Sequence, residues 1–332
     1  MEILKKRHFT KDGLQTYDAA TIDSTGAFLI GELERLDQTM HEPLVSYKWS
    51  RDIDLREDVS IADESSSFTN SAFAAAGGTK PTGKSWIGKD ANAITGIQLD
   101  IAKTANPLFL WGMQVGYTIP ELESAIRIGR PIDVQKLAGL RLKHQMDIDE
   151  MVYIGDTELG KYGLVNQTAG ITTGNVVAGA TGSLAWTTKT PDEILQDVNT
   201  LLTAVWAASA YAVCPRRLLL PPTQFAYAVS QKVSNAGNIS ILRFLKENSI
   251  ALEENGEELE IYSSKWLPAA GANSTDRMVA YTKRQDLVRF PLVPLQRTPL
   301  EYRGIHQITT YFGRLGVVEV VYPETVGYAD GI

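Results

Sequence analysis

Apolar positions recur along this chain with two different periods, and the alternation between them sets out the expected elements. Phe28, Leu29, Leu33, Leu36 and Met40 repeat at helical spacing, with Pro43 past the end. Residues 44–62 and 93–103 instead alternate in the manner of strands, and 108–118 (LFLWGMQVGYT) reads as a buried strand. Thr118 and Glu121 form a capping box, with Pro120 in the first turn, so a helix starts there. It breaks at Gly129-Arg130-Pro131, restarts at Asp133 and runs to about Ile154, where Gly155 ends it. Val134, Leu137, Ala138, Arg141, Ile148 and Val152 are its expected inner face, and at 1.5 Å per residue it spans about 30 Å.

The second half is patterned as clearly. Thr190-Pro191-Asp192-Glu193 combines an N-cap, a proline at the first helical position and a reciprocal glutamate. Ile194, Leu195, Val198, Leu201, Leu202, Val205 and Trp206 then hold one helical face, whose burial contributes on the order of 10 kcal/mol before entropy is subtracted. Arg217–Leu220 reads as a strand closed by Pro221-Pro222. Helices are expected near 223–233 and near 239–248, the latter capped by Asn238. Strands are expected at 257–262 and 277–282 around a small polar loop, 268–276. More follow at 295–303, 305–312 and 316–322, with Gly313 to Gly316 as a turn. The order mixes helices and strands without a βαβ rhythm, which predicts an α+β fold.

Two stretches do not fit a compact globule. The first 25 residues are polar and patternless, an extended arm. From Ser65 to Gly88 the chain is Ser, Thr, Gly, Ala and Lys with little to bury, flanked by strand-like segments. That pattern predicts a long hairpin or loop projecting from the body towards a neighbouring subunit.

Composition narrows the function classes. The 332 residues carry a net charge of −7, so gripping phosphate backbones is not the main task. The basic cluster Lys5, Lys6, Arg7 and Lys11 reads as a solvated arm. One cysteine, Cys214, permits no intrachain disulfide and fits a reducing compartment such as a bacterial cytoplasm. No signal-like apolar segment opens the chain, and no run of about 18 apolar residues is present, so no membrane span is expected.

Candidate chemistry is sparse. Gly78-Thr79-Lys80-Pro81-Thr82-Gly83-Lys84-Ser85 fits a phosphate-binding loop letter for letter. Such a loop works between a buried strand and a helix N-terminus, and neither flank has that character. His8, His41, His144 and His306 show no ligand spacing, and His144 reads as a solvated or satisfied mid-helix histidine. Cys214 reads as a small buried thiol. Asp147-Ile148-Asp149-Glu150 reads as a charged helix face. Asp52 and Asp54 share one side of an expected strand with no cleft around them. No catalytic, cofactor or metal site is expected.

Three phrases carry a family resemblance: WGMQVGYTIPELESA at 111–125, leading to the helix that ends MVYIGD at 151–156; Tyr162-Gly163-Leu164-Val165-Asn166; and the ending YFGRLGVVEVVYPETVGYADGI. In this order the chain resembles the major capsid proteins of tailed phages, with the Hong Kong 97-like fold. The resemblance implies an N-terminal arm at 1–43, and an extended loop with its flanking strands at 44–118. It implies a peripheral domain with a spine helix at 119–189, an axial domain at 190–290, and returning strands at 291–332. It implies self-assembly into hexamers and pentamers of an icosahedral shell that encloses double-stranded DNA without sequence-specific binding. A scaffolding protein, a portal and decoration proteins are the implied partners, and the virion is the implied location. Some members crosslink through a Lys and an Asn. Lys80, Lys84 and Lys89 lie in the loop, but no Asn partner is identifiable, so no crosslink is predicted. Rival readings are an encapsulin-like compartment shell, a P-loop nucleotide hydrolase and a tail component.

Overall fold

The computed structural model describes residues 8–9, 15–16, 45–75, 97–128, 132–168, 170–234 and 237–332. The helix expected at 28–40 and the loop motif at 78–85 lie outside the described residues. Two short strands, β1 (His8–Phe9) and β2 (Gln15–Thr16), pair antiparallel near the start.

The segment expected as one strand over 44–62 is split. Trp49–Asp52 is a short helix, α1, and only Asp54–Arg56 is a strand, β3. A remote carboxylate overrides the local β preference: Asp149 accepts hydrogen bonds from the backbone of Lys48 and Trp49, two donors at the start of the helical turn. The hairpin is real but its first strand lies elsewhere. β4 (Ser65–Ala75) pairs antiparallel with β5 (Ile97–Pro107) over eleven residues each, so the first half of the polar stretch is itself strand.

β6 (Phe109–Thr118) alternates partly covered and exposed positions and is not buried throughout; Leu110 is 68% exposed. The capping box closes as expected: Glu121 N donates to Thr118 Oγ1 at 3.2 Å and Thr118 N to Glu121 Oε2 at 3.4 Å. It opens α2 (Ile119–Ile128), which precedes the long α3 (Ile132–Tyr153). The inner face of α3 is Leu140, His144, Ile148 and Val152, at strict four-residue spacing; Val134, expected inside, is 59% exposed. Gly155 follows with φ of +79°, the left-handed conformation that ends a helix.

Beyond β7 (Thr172–Asn175), α4 (Pro191–Ala208) starts with the expected reciprocal cap between Thr190 and Glu193. β8 (Arg217–Leu220) and α5 (Pro222–Ser230) follow, then a small hairpin of β9 (Lys232–Ser234) and β10 (Gly237–Ser240). α6 (Ile241–Glu247) is capped by Ser240, not Asn238, and α7 (Ile250–Asn255) had no periodic signal of its own. The chain closes with β11 (Glu260–Ser263), β12 (Arg277–Tyr281), β13 (Val288–Arg297), β14 (Glu301–Arg303), β15 (His306–Leu315), β16 (Glu319–Val320) and β17 (Gly327–Asp330). No turn interrupts Gly313; β15 runs through it to Leu315, paired with β6 along all ten residues.

Two larger sheets result. One has the order β11-β8-β12-β17-β7; the other joins β14, β15, β13 and β16, with β3 beside β13 and β6 beside β15. The first sheet is a wall with a core on each side. Leu218, Leu220, Met278, Ala280 and Ala329 face α4 and its neighbours, packing with Val198, Leu202 and Val205. Leu219, Val279, Tyr281 and Tyr328 face the other way, packing with Ile148 and Val152 of α3 and with Phe290 and Leu315. Strands buried on both faces read as unbroken apolar runs, which is why Leu218-Leu219-Leu220 shows no alternation.

Gly327 permits the closest approach of helix to wall: a Cβ there would overlap Val205 of α4. Gly327→Ala is expected to destabilise the fold by about 1–3 kcal/mol through overpacking, read as a lower midpoint of chemical denaturation.

Candidate assembly surfaces

Among the described residues, polar groups fix the root of the hairpin β4–β5. Glu319, fully buried, accepts a short hydrogen bond from Ser66 Oγ and another from Arg289 Nε at 2.7 Å. Arg56 reaches the same carboxylate at 3.4 Å and also donates to Ser66 Oγ and to the Ser67 carbonyl. Asn70 Nδ2 donates to the Val321 carbonyl at 3.2 Å. The second foot is held by Arg314, which donates to the carbonyls of Ile61 and Leu108.

These contacts define the two faces of the hairpin. Ser66 and Asn70 face the body, and their cross-strand partners are Asn106 and Ala102. Leu99 and Ile101 have the opposite parity, so they point away from the chain's own body. They are 53% and 60% exposed. Eleven residues per strand extend the hairpin by about 35 Å. A second apolar surface lies at the far end of the other sheet, where Leu300, Tyr302 and Ile305 are exposed around the turn joining β14 to β15.

The base of the N-terminal segment is tied into the body by two buried carboxylates. Asp149 takes Lys48 N and Trp49 N on one oxygen, at 2.9 and 3.2 Å, and Trp266 Nε1 on the other at 2.8 Å; Lys265 Nζ lies 3.0 Å away. Asp149 is therefore not part of a solvated helix face. Asp52 is fully buried at the end of α1 and pairs with Arg51 Nε at 2.6 Å and with the Tyr153 hydroxyl. It does not share a side with Asp54, which lies 3.4 Å from Lys283. Burial, reinforced by the charge of Asp52, pushes the Tyr153 hydroxyl well above the usual phenol range, so it acts as a donor. Arg217 Nη1 reaches the Arg51 carbonyl at 2.6 Å, and Tyr262 sits beneath both guanidiniums. These residues form a structural knot.

The remaining sequence candidates are dispersed. β4 and β5, which bracket the phosphate-loop motif, pair with each other in a two-stranded sheet and not within a core sheet. Cys214 is buried and free, and burial raises its thiol above the usual value. His306 lies exposed at the start of β15, and His41 is outside the described residues. His144 is not solvated: it is buried against Trp111, with ring centroids 4.7 Å apart, and its Nε2 has no partner among the described residues. Histidine does not add to an apolar period, so the sequence pattern does not reveal that it shares a face with Leu140, Ile148 and Val152. No group of three or more metal-ligating side chains occurs among the described residues.

Comparison with known proteins gives this geometry a context. A family model described as major capsid protein matches residues 83–332. Among solved structures the chain is similar to the capsid of Myoviridae phage XM1, with a TM-score of 0.72 at 17% identity, covering 91% of this chain and 98% of that one. It is also similar to the capsid of a native GTA particle (TM-score 0.60, 12% identity, 95% and 99% covered). A third likeness is to Mycobacterium phage Che8 (TM-score 0.53, 11% identity, 89% and 96% covered). No curated protein matches the sequence. These likenesses show the fold, the α+β arrangement of the Hong Kong 97-like capsid proteins.

Two outcomes test the knot and the buried histidine. Asp149→Ala leaves the Trp266 indole and two backbone N–H groups unpaired, and should cost about 3–5 kcal/mol of unfolding free energy. Burial lowers the affinity of His144 for a proton, with Asp147 opposing in part. The unfolded chain then protonates first, so this contribution is complete above about pH 6.5 and is lost as pH falls below it. His144→Leu should flatten the dependence of melting temperature on pH between about 6.5 and 5.

Proposed function

The chain belongs to the major capsid protein family, and from that membership we propose that it assembles as hexamers and pentamers of an icosahedral shell enclosing phage DNA. The observation that carries this reading is the hairpin: a long two-stranded projection whose outward face holds Leu99 and Ile101 in water. Exposed apolar groups on a projection with no core of its own are stabilised when another chain covers them. A body with two cores and a shared wall supplies the rigid part, and the hairpin supplies the reach. Many modest contacts of this sort, summed over several neighbours, give a stable closed shell.

In this assignment residues 1–43 form the arm, 44–118 the extended loop with its strands, and 119–189 a peripheral domain around α3. Residues 190–290 form an axial domain and 291–332 the returning strands. The partners are further copies of the chain, a scaffolding protein, a portal and decoration proteins. The shell is built in the cytoplasm of a bacterial host. The net charge of −7 keeps the wall from gripping the packaged DNA.

Electron microscopy of the purified chain, alone and with co-expressed phage structural proteins, tests the proposal. Closed shells, DNA-filled in the complete system, are expected; tubes, open rings or a monomer under every condition would overturn it. Replacing Leu99 and Ile101 together by Asp should abolish shells while leaving the monomer's unfolding free energy within about 0.5 kcal/mol of the parent.

A further inference from the structure

The side chain of Lys189 is fully buried, an unusual place for a lysine. It leaves the chain just after the short helical turn Trp186–Thr188 and just before Thr190, the N-cap of α4. The reciprocal cap between Thr190 and Glu193 fixes the backbone at that point. Lys189 Nζ meets Asp197 Oδ2, two turns into α4, at 2.5 Å, and Asp197 is buried as well. The Trp186 indole donates to the same oxygen at 3.2 Å, and the Val177 backbone N–H faces the carboxyl.

An ammonium group carries three hydrogens, and among the described residues this one has a single acceptor, Asp197. Keeping a full ion pair away from water with donors unused is unfavourable. Moving one proton from Nζ to the carboxylate leaves an uncharged amine against a carboxylic acid, which burial favours. Burial outweighs the donors around Asp197 and raises its carboxyl above the usual range.

An uncharged amine against a carboxylic acid is the pair from which an amide forms. In water both groups stay ionised, and the solvent drives the reverse reaction. Here the two are held in contact, which corresponds to effective concentrations of about 10⁵ M or more, and bulk water is shut out. Asp197 also lines a cavity of about 90 Å³ between β7 and α4, with room for a departing water.

We propose that Lys189 and Asp197 condense after folding into an isopeptide bond within one chain. The Nζ lone pair attacks Cγ of the carboxylic acid and forms a tetrahedral carbon. The Trp186 indole, already on the carboxyl, steadies the negative charge that develops on oxygen. A proton from the nitrogen passes to the departing hydroxyl, the Nζ–Cγ bond replaces one Cγ–O bond, and one water leaves. Nothing is oxidised or reduced, and no co-reactant is needed. The bond closes a ring over residues 189–197 and ties Trp186 and the segment before it to α4. No second chain takes part, so the proposal goes beyond the shell reading and does not depend on it.

Mass spectrometry of the denatured, unaltered chain tests it. The intact mass is expected to lie one water below that of the sequence. Digestion should yield a branched peptide in which Lys189, resistant to trypsin, is joined to Asp197. A full intact mass with linear peptides through both residues, in protein kept folded for days, would overturn the proposal. Lys189→Arg keeps the charge but cannot form this amide, so its mass should equal its sequence. A missing water that persists in Lys189→Arg or in Asp197→Ala would belong to another residue, such as a succinimide, and would also overturn it.

Discussion

Leu219, Val279 and Tyr328 turn to one core while Leu218, Met278 and Ala329 turn to the other, and this alternation joins the two halves of the body. A sheet with helices on one side and solvent on the other could be shed by its partner. A sheet whose both faces are apolar cannot separate from either core without exposing an unbroken wall to water. The long helix α3 and the helix α4 therefore hold fixed positions relative to one another, though they share little direct contact. That rigidity is what a projecting hairpin requires of its platform.

The hairpin is attached by a different kind of force. Glu319, Arg56, Arg289 and Ser66 hold its root by directional, charge-assisted hydrogen bonds, where a comparable anchor could have been apolar. Hydrogen bonds of this kind fix an angle, because they weaken steeply when misaligned. Apolar packing alone would let the hairpin slide. The arm base is treated alike: Asp149 receives two backbone donors of α1 and an indole, so the start of the chain is locked to α3 by geometry as well as by area. Polar groups sit inside and orient; apolar groups sit outside on the projection and wait for cover.

Much of this was legible in the sequence wherever one rule acted alone. Thr190 and Glu193 announced α4, Thr118 and Glu121 announced α2, and Gly155 ended α3, because capping is a local matter settled within four residues. The fold class followed from the order of elements. What escaped was set by distant partners. Trp49–Asp52 is helical because Asp149, a hundred residues away, supplies its cap. Ser65–Ala75 is a strand because Ile97–Pro107 lies beside it, although its own composition argues for a loop. The sequence reads Asp149 as part of a charged helix face and His144 as a solvated or satisfied histidine, because burial depends on what covers a face, and charge alone does not reveal a covering indole. The root clamp was invisible for the same reason: Ser66 and Glu319 are 253 positions apart.

The division of labour between inner polar anchors and outer apolar surface has a consequence for assembly. A subunit in a closed shell meets neighbours at slightly different angles, so its contacts must tolerate small displacements. Apolar surfaces tolerate them, since burial depends on area and not on alignment. Directional anchors do not, and those at Glu319, Asp149 and Asp52 join elements of one chain. Leu99 and Ile101 on the hairpin, with Leu300, Tyr302 and Ile305 at the far end of the second sheet, are exposed, and in the proposed shell they are the surfaces that would adjust. Glu319, Asp149 and Asp52 lie where nothing needs to move. Had the polarity been reversed, with charged clamps between subunits and greasy joints within them, each neighbour would demand one angle while the projection itself wandered.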